Sequence, residues 1–396
     1  MNGLRRFGWV PVATWLLLCH APAHSEPYVP ADDRQVLERL RVNSLDPAMR
    51  EIRALRSGLS RDPQNLDVAV QLAARYIEVG RSEGDPRFLG QAQAVLDPWW
   101  YQPAPPPRTL LLRAIIRQNA HEFDSALVDL DAVLQIHPTN AQAWLTKASI
   151  LQVQGHYEEA RRACRPLMRL AARHIALTCL SDIAGLTGQA VRSRELLTWA
   201  ASQSGVPDRE RLWALTALAE LSARTGQAHA AETYFSDARR VGIKDQYLLG
   251  AYADFLLDQG RAPEVITLLQ HETRADGLLL RLTLAEQALH LPASKNHTAE
   301  LAARFAAGRE RGTRVHVREE ARFTLALLHD SQTALTLAQA NWEIQKEPWD
   351  ARLLLETALA SGSRQAAKPI IAWLHTNHME DTRLQQLVAQ FPEEQS

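Results

Sequence analysis

The chain has 396 residues, with 44 basic and 45 acidic side chains and a formal charge of −1 at neutral pH. This balance argues against nucleic acid as a partner, because phosphate backbones are bound by concentrated lysine and arginine. The length exceeds what one compact core normally fills, so we expect several domains or a repeating architecture.

Residues 1–25 have the pattern of a secretory signal. Arg5 and Arg6 precede an apolar run at 7–19, and small residues at 21, 23 and 25 supply two cleavage motifs. The run is short for a membrane span, although an uncleaved anchor or a buried helix is an alternative. We therefore predict export across the inner membrane, a periplasmic location and no membrane insertion of the mature chain.

Residues 26–104 are predicted to form an N-terminal helical cap and a degenerate helix pair. We expect an amphipathic helix pair at 32–60, then helices at 66–79 and 88–96 joined by a lengthened turn. Prolines at 103 and 105–107 predict an extended connection over 97–107. Its aromatic residues Trp99, Trp100 and Tyr101 either staple the connection to neighbouring helices, which we favour, or form a contact patch for a peptide or sugar.

A single pattern recurs through residues 105–272. Its clearest copy is 141–160, with bulky, small and aromatic residues at Trp144, Ala148, Tyr157 and Ala160. First helices are predicted to start at about 107, 141, 174, 212 and 246. The turn positions are His121, Gly155, Gly188, Gly226 and Gly260, and the small residues inside the second helices are Ala126, Ala160, Ser193 and Ala231.

This spacing resembles the tetratricopeptide repeat, strongly over 105–172 and moderately to 272. The resemblance implies an all-α fold, an α-solenoid in which helix–turn–helix repeats form a right-handed superhelix. It also implies a non-catalytic protein of the cell envelope that holds another protein or peptide, without a cofactor.

In this family the first helix of each repeat lines a concave groove. Carried over by position, the partner-binding residues of this chain are Asn119, Gln142, Gln152, Asp182, Trp213, Glu220, Arg224, Tyr247, Asp254 and Asp258. Amide side chains suit an extended backbone because they donate and accept hydrogen bonds. The alternative is that these residues are solvated helix faces. The lysine–asparagine clamp that binds acidic chain ends in one subgroup is absent, so we do not expect an acidic C-terminal peptide as ligand.

The predicted mature chain keeps two cysteines, Cys164 and Cys179. In the repeat register they lie on packed helices of adjacent repeats, so a disulfide is possible in an oxidising compartment. Two buried free thiols are the alternative.

Residues 273–396 are predicted to form a C-terminal helical region with degenerate repeats. An envelope enzyme, such as a peptidoglycan-cleaving one, would have its site here, but Glu286 and Glu319 have no supporting catalytic residues in the sequence. His375, His378, Glu380 and Asp381 are a weak metal motif, and we predict no metal. A cytoplasmic scaffold that retains residues 1–25 is the remaining alternative.

Overall fold

The computed structural model describes residue 32, residues 47–312 and residues 316–391. These residues form 21 α-helices and no strand. The all-α solenoid is therefore confirmed. The predicted signal sequence lies outside the described residues, as does most of the first half of the predicted N-terminal helix pair.

The helices alternate between a first and a second helix of successive pairs. An N-terminal helix, α1 (Pro47–Arg61), precedes them, and a short helix, α8 (Leu167–Leu170), lies between two pairs. The pairs are α2 (Leu66–Glu83) and α3 (Arg87–Trp100), α4 (Pro107–Asn119) and α5 (Phe123–Ile136), α6 (Ala141–Val153) and α7 (Tyr157–Cys164), α9 (Arg173–Gly185) and α10 (Ala190–Ser202), α11 (Asp208–Arg224) and α12 (Ala228–Arg240), and α13 (Gln246–Asp258) and α14 (Ala262–Leu269).

The same pairing continues beyond residue 272. It comprises α15 (Asp276–Ala288) and α16 (Ala293–Glu310), α17 (Val317–Ala326) and α18 (Ser331–Trp342), and α19 (Pro348–Ala360) and α20 (Arg364–Thr376), followed by α21 (Thr382–Val388). The sequence pattern did not reveal repeats at 276–329, where histidine replaces glycine at the turns. His290 and His329 adopt φ of 55° and 58° there.

A residue in the left-handed conformation ends the first helix of each pair. All five predicted turn positions have positive φ, from 59° at His121 to 76° at Gly155. A left-handed residue reverses the chain while its N–H still bonds to the last helical turn, and glycine adopts this conformation without a Cβ penalty.

Small side chains allow the two helices of a pair to approach closely. The predicted small positions Ala126, Ala160, Ser193 and Ala231 are all fully buried. The Ser193 hydroxyl donates to the Ser181 carbonyl oxygen over 2.6 Å, which satisfies its buried oxygen. Each pair therefore buries its apolar face against its own partner helix and the next pair.

Two N-terminal predictions were wrong in detail. Helix α2 runs to Glu83, so the helix is longer than predicted. The turn at Gly84 is not lengthened. The predicted extended connection begins only after Trp100, because α3 continues through Pro98. Trp99 and Trp100 are 7% and 6% exposed, and burial of two indoles favours the helical path. The two indoles pack the end of α3 against neighbouring helices, as favoured from the sequence. Tyr101, by contrast, is 75% exposed.

The superhelix contacts itself, because later pairs pack against the turns of earlier ones. The Lys346 N–H donates to the Val153 carbonyl oxygen over 2.7 Å. Further along, the N–H of Ala190 donates to a Glu380 carboxylate oxygen over 3.1 Å. The Thr382 hydroxyl donates to the carbonyl oxygen of Arg224 over 3.1 Å. The C-terminal helices therefore face the middle repeats across a shared interior.

Candidate partner-binding cavity

A cavity of about 990 Å³ occupies this interior. Its polar lining comes from the first helices of successive pairs, from α6 to α19, and from the start of α21. The first helices from α6 to α19 thus direct one face inward, whereas α2 and α4 do not reach the cavity. The charged residues in its wall are Asp182, Glu220, Arg224, Asp254, Asp258, Arg281, Arg318, Glu319, Arg322, Glu347, Arg352, Glu356, Asp381 and Arg383.

One side of the cavity, which we call the acidic wall, is formed by Gln152, Asp182, Glu220, Arg224 and Tyr247. The Gln152 amide donates to the Asp182 carboxylate over 2.9 Å. The Tyr247 hydroxyl donates to both oxygens of Glu220 over 2.9 and 3.1 Å. Both carboxylates are therefore hydrogen-bonded to neutral donors.

The acidic wall changes the ionisation of its carboxyl groups. Burial raises the pKa of Glu220 to about 7, and the negative charges of Asp182 and Glu347 add to the shift. Arg224 and the Tyr247 hydrogen bond oppose it. Burial also raises the pKa of Asp182, although Gln152 and Arg224 act in the other direction. Burial in the cavity wall therefore destabilises these carboxyl groups as anions.

A second part of the lining, which we call the arginine wall, is built around Asp254. Its carboxylate is 2% exposed and accepts from Arg281 and Arg322, each over 2.6 Å. Burial opposes ionisation of Asp254, but the two guanidinium groups outweigh it and hold the pKa below its usual value. Asp254 therefore joins α13 to both α15 and α17.

Further ion pairs complete the arginine wall. Arg318 bonds to Asp350 over 2.6 Å and also to Glu347. Arg352 donates to both oxygens of Asp258 over 2.6 and 2.7 Å. The guanidinium carbons of Arg322 and Arg352 lie 4.5 and 4.2 Å from the centre of the Trp349 ring. These cation–π contacts fix the indole at the cavity surface.

Seven of the ten predicted groove residues line the cavity: Gln152, Asp182, Glu220, Arg224, Tyr247, Asp254 and Asp258. The other three do not. The Asn119 side chain donates to the carbonyl oxygen of Ile115, and Gln142 donates to the Thr146 hydroxyl. Trp213 packs against a hydrophobic core cluster. That any of the ten binds a partner remains a prediction.

Sequence reasoning missed the arginine wall residues on α15, α17 and α19. A signal was present on α19, where Trp349, Arg352 and Glu356 are the second, fifth and ninth residues counted from Pro348. Tyr247 and Asp254 occupy the second and ninth positions of α13 in the same way. Extending the repeat register past residue 272 would have identified the residues on α19, but not Arg281 and Arg322, which are the sixth residues of α15 and α17.

Other residues singled out in the sequence have structural roles. Cys164 and Cys179 form a disulfide with their Cα atoms 5.9 Å apart, linking α7 to α9. His378 contacts the turn at Gly188, and Asp381 accepts from the N–H of Leu384 and so caps α21. Within residues 47–312 and 316–391, no three metal-binding side chains converge. Glu286 is 5% exposed and hydrogen-bonds His297 over 2.8 Å.

None of the helices in the described part of the chain is both long and apolar enough to cross a membrane.

Comparison with known proteins identifies the repeats. Residues 119–177 match the family model for the tetratricopeptide repeat. Residues 119–177 therefore carry tetratricopeptide repeat sequence. The repeats of this family support a protein-interaction scaffold. No curated protein matches the sequence significantly.

The solved structures to which this chain is similar share 12–15% sequence identity with it. The Cut9–Hcn1 hetero-tetramer of the APC/C is 14% identical, with a TM-score of 0.41 over 87% of this chain and 53% of that chain. This chain thus spans about half of that one. PilW, a type IV pilus biogenesis factor, is 15% identical, with a TM-score of 0.35 over 71% of this chain and 98% of PilW. The human IFIT1 dimer with m7Gppp-AAAA is 12% identical, with a TM-score of 0.44 over 84% of this chain and 86% of that chain.

Proposed function

We propose that this protein is a non-catalytic adaptor of the cell envelope that binds a segment of another protein inside its superhelix. The observation that carries the proposal is the cavity of about 990 Å³, lined by first helices of successive repeats. It is large enough for several side chains of an extended segment. Its wall presents hydrogen-bonding groups and the ring of Tyr247, which is 59% exposed.

The mechanism is recognition without chemistry. Tyrosine and tryptophan give much contact area for little lost conformational freedom and often dominate binding energy. Tyr247 is held by its hydrogen bonds to Glu220 and Trp349 by its neighbouring guanidinium groups, so both rings are ordered before a partner arrives. Such preorganisation lowers the entropic cost of binding.

The test is affinity capture of the tagged mature protein from envelope extract. We expect a stoichiometric protein partner that Tyr247→Ala loses and that Tyr101→Ala retains. Tyr101 is the matched control, since it is 75% exposed and is not part of the cavity wall. Retention of the partner by Tyr247→Ala would contradict binding in the cavity, and capture of no protein partner would contradict the adaptor role.

The envelope location rests on the signal pattern of residues 1–25 and on the disulfide, because disulfides persist in oxidising compartments. Mass spectrometry of the N-terminus of the cellular protein tests it. A mature chain that begins after Ala23 or Ser25, found in the periplasmic fraction, is expected. An intact N-terminus in the cytoplasmic fraction would overturn the location.

A further inference from the structure

We propose that the acidic wall binds a cationic side chain, arginine or lysine, carried by an extended segment of the partner. This inference rests on the proposed function and adds the chemistry of the ligand. Its basis is a difference between the two walls. Within the part of the chain that the structure describes, Asp254, Asp258, Glu347 and Glu356 have arginine partners, whereas Asp182 and Glu220 do not.

Each arginine in the arginine wall has a carboxylate partner. Arg281 and Arg322 pair with Asp254, and Arg352 pairs with Asp258 and Glu356. Arg318 pairs with Asp350 and Glu347, and Arg383 lies 3.5 Å from Glu356. An acidic ligand would have to displace one of these carboxylates, so this wall offers little gain to an anion.

The acidic wall lacks such partners. Within the described residues, no ion pair joins Asp182 or Glu220 to a cation within 4.0 Å; their hydrogen bonds come from the neutral Gln152 amide and Tyr247 hydroxyl. Arg224 lies on the same helix as Glu220, but its Nε is buried without a hydrogen-bond partner. Two carboxylates removed from bulk water are therefore held without direct ionic compensation, which a ligand cation would supply.

Tyr247 provides an independent reason to expect a cation. Its hydroxyl is fixed on Glu220, and its ring is 59% exposed at the cavity wall. An exposed aromatic ring beside carboxylates suits a guanidinium or ammonium group, which can contact the ring and donate to the acid together. Binding of one cationic side chain would thus engage both features.

The direct test uses a short, blocked, dye-labelled peptide with arginines between glycines and serines. Its control carries citrulline, which is neutral and nearly isosteric, at the same positions; a third peptide carries lysine. Fluorescence anisotropy should show tighter binding of the arginine peptide than of the citrulline peptide by at least about tenfold, the gain typical of a charge-assisted hydrogen bond. Equal binding of both peptides would overturn the proposal.

Two double variants locate the contact. Asp182→Asn with Glu220→Gln should abolish the preference for arginine over citrulline. Glu158→Gln with Glu195→Gln removes the same charge from exposed positions on the second helices α7 and α10 and should preserve it. If both double variants reduce binding equally, the attraction is a general surface effect and the proposal fails. Circular dichroism establishes that each variant is folded.

Proton linkage gives a second readout that surface attraction would not produce. The charged and titratable groups around Glu220 are Asp182, Arg224, Tyr247 and Glu347. Since the pKa of Glu220 is about 7, a bound cation should expel a proton near neutral pH. Affinity should then rise between about pH 6 and about pH 8. Calorimetry in buffers of different ionisation enthalpy measures the number of protons released on binding. Binding without proton release would contradict the proposal.

The two proposals fail separately. If the envelope partner is captured and lost in Tyr247→Ala, but the arginine and citrulline peptides bind alike, the adaptor stands and the cationic ligand is wrong. If the arginine peptide binds through Asp182 and Glu220 but no protein is captured, the cation site stands and the adaptor role is wrong.

Discussion

Lys346 hydrogen-bonds the repeat at residues 141–164 through both of its backbone polar groups. Its N–H donates to the Val153 carbonyl oxygen over 2.7 Å, and its carbonyl oxygen accepts from the Tyr157 hydroxyl over 3.3 Å. Tyr157 and Lys346 are separated by 189 residues in sequence. This contact holds the start of α19 against the turn between α6 and α7.

Gly155 lies within this contact and provides its test. Its φ is +76°, and a Cβ there would lie 3.1 Å from Cβ of Lys346 and 3.3 Å from Nε1 of Trp373. We expect Gly155→Ala to cost about 1–2 kcal/mol for the left-handed backbone and about 1–3 kcal/mol more for overpacking. Urea unfolding followed by circular dichroism measures the loss.

Gly260→Ala is the matched control for that experiment. Gly260 has φ of +70° at the equivalent turn, and a Cβ there meets no atom within 4 Å. It should show only the backbone cost of about 1–2 kcal/mol. If the two variants are equally destabilised, the contact between Gly155 and Lys346 does not form as described.

The repeat pattern predicted the fold because it is local. Gly155, Gly188, Gly226 and Gly260 mark turns whose geometry depends on only a few neighbouring residues. His290 was not assigned, although it adopts the same left-handed conformation as the predicted turn residue His121. The contact of Lys346 with Val153 was beyond prediction, since it depends on small rotations that accumulate over several repeats.

The site was predictable to the extent that it follows the repeat register. Tyr247 and Asp182 were assigned by position and do line the cavity. Position alone could not show that Asp254 is enclosed by Arg281 and Arg322 while Asp182 lacks such partners. That distinction depends on side chains from α15 and α17, which belong to pairs whose register the sequence did not reveal.

Asp254→Asn should strongly destabilise the C-terminal half of the superhelix. It leaves Arg281 and Arg322 without their shared carboxylate, and breaking a buried ion pair in this way costs about 3–5 kcal/mol. Asp258→Asn is the control, because its side chain is 38% exposed and its partner Arg352 keeps Glu356. It should cost about 0–1 kcal/mol. Thermal unfolding compares the two, and similar midpoints would contradict the assigned role of Asp254.

The stabilisation by Asp254 also has a defined pH dependence. Because its folded pKa lies below its unfolded value, the stabilisation is present above the unfolded pKa, about 3.9, and is lost as pH falls through the folded pKa. The wild-type protein should therefore lose this contribution only in strong acid. Asp254→Asn should lack that part of the acid transition when unfolding midpoints are measured against pH.

Glu220 should have the opposite pH dependence. Its folded pKa of about 7 exceeds the unfolded value, so its contribution to stability is complete below about pH 4.5 and is lost as pH rises through about 7. Glu220→Gln resembles the protonated acid. At about pH 8 we expect it to be more stable than the wild type by about 1–2 kcal/mol, allowing for partial solvent screening. Unfolding midpoints at low and high pH test this, and a constant difference between the two proteins would contradict it.

Removal of the disulfide should weaken the junction between two repeats. Cys164 and Cys179 are separated by 15 residues in sequence, and closing a loop of this size stabilises a fold by about 3 kcal/mol in the chain-entropy treatment. Cys164→Ala with Cys179→Ala should lose about that amount, because both side chains are buried and alanine leaves only a small void. Unfolding with and without reductant is the measurement. The wild type should lose stability on reduction while the double variant stays unchanged. Thiol labelling in denaturant establishes that the reductant has opened the bridge. If the reduced wild type is then as stable as the oxidised one, the bridge contributes nothing to stability.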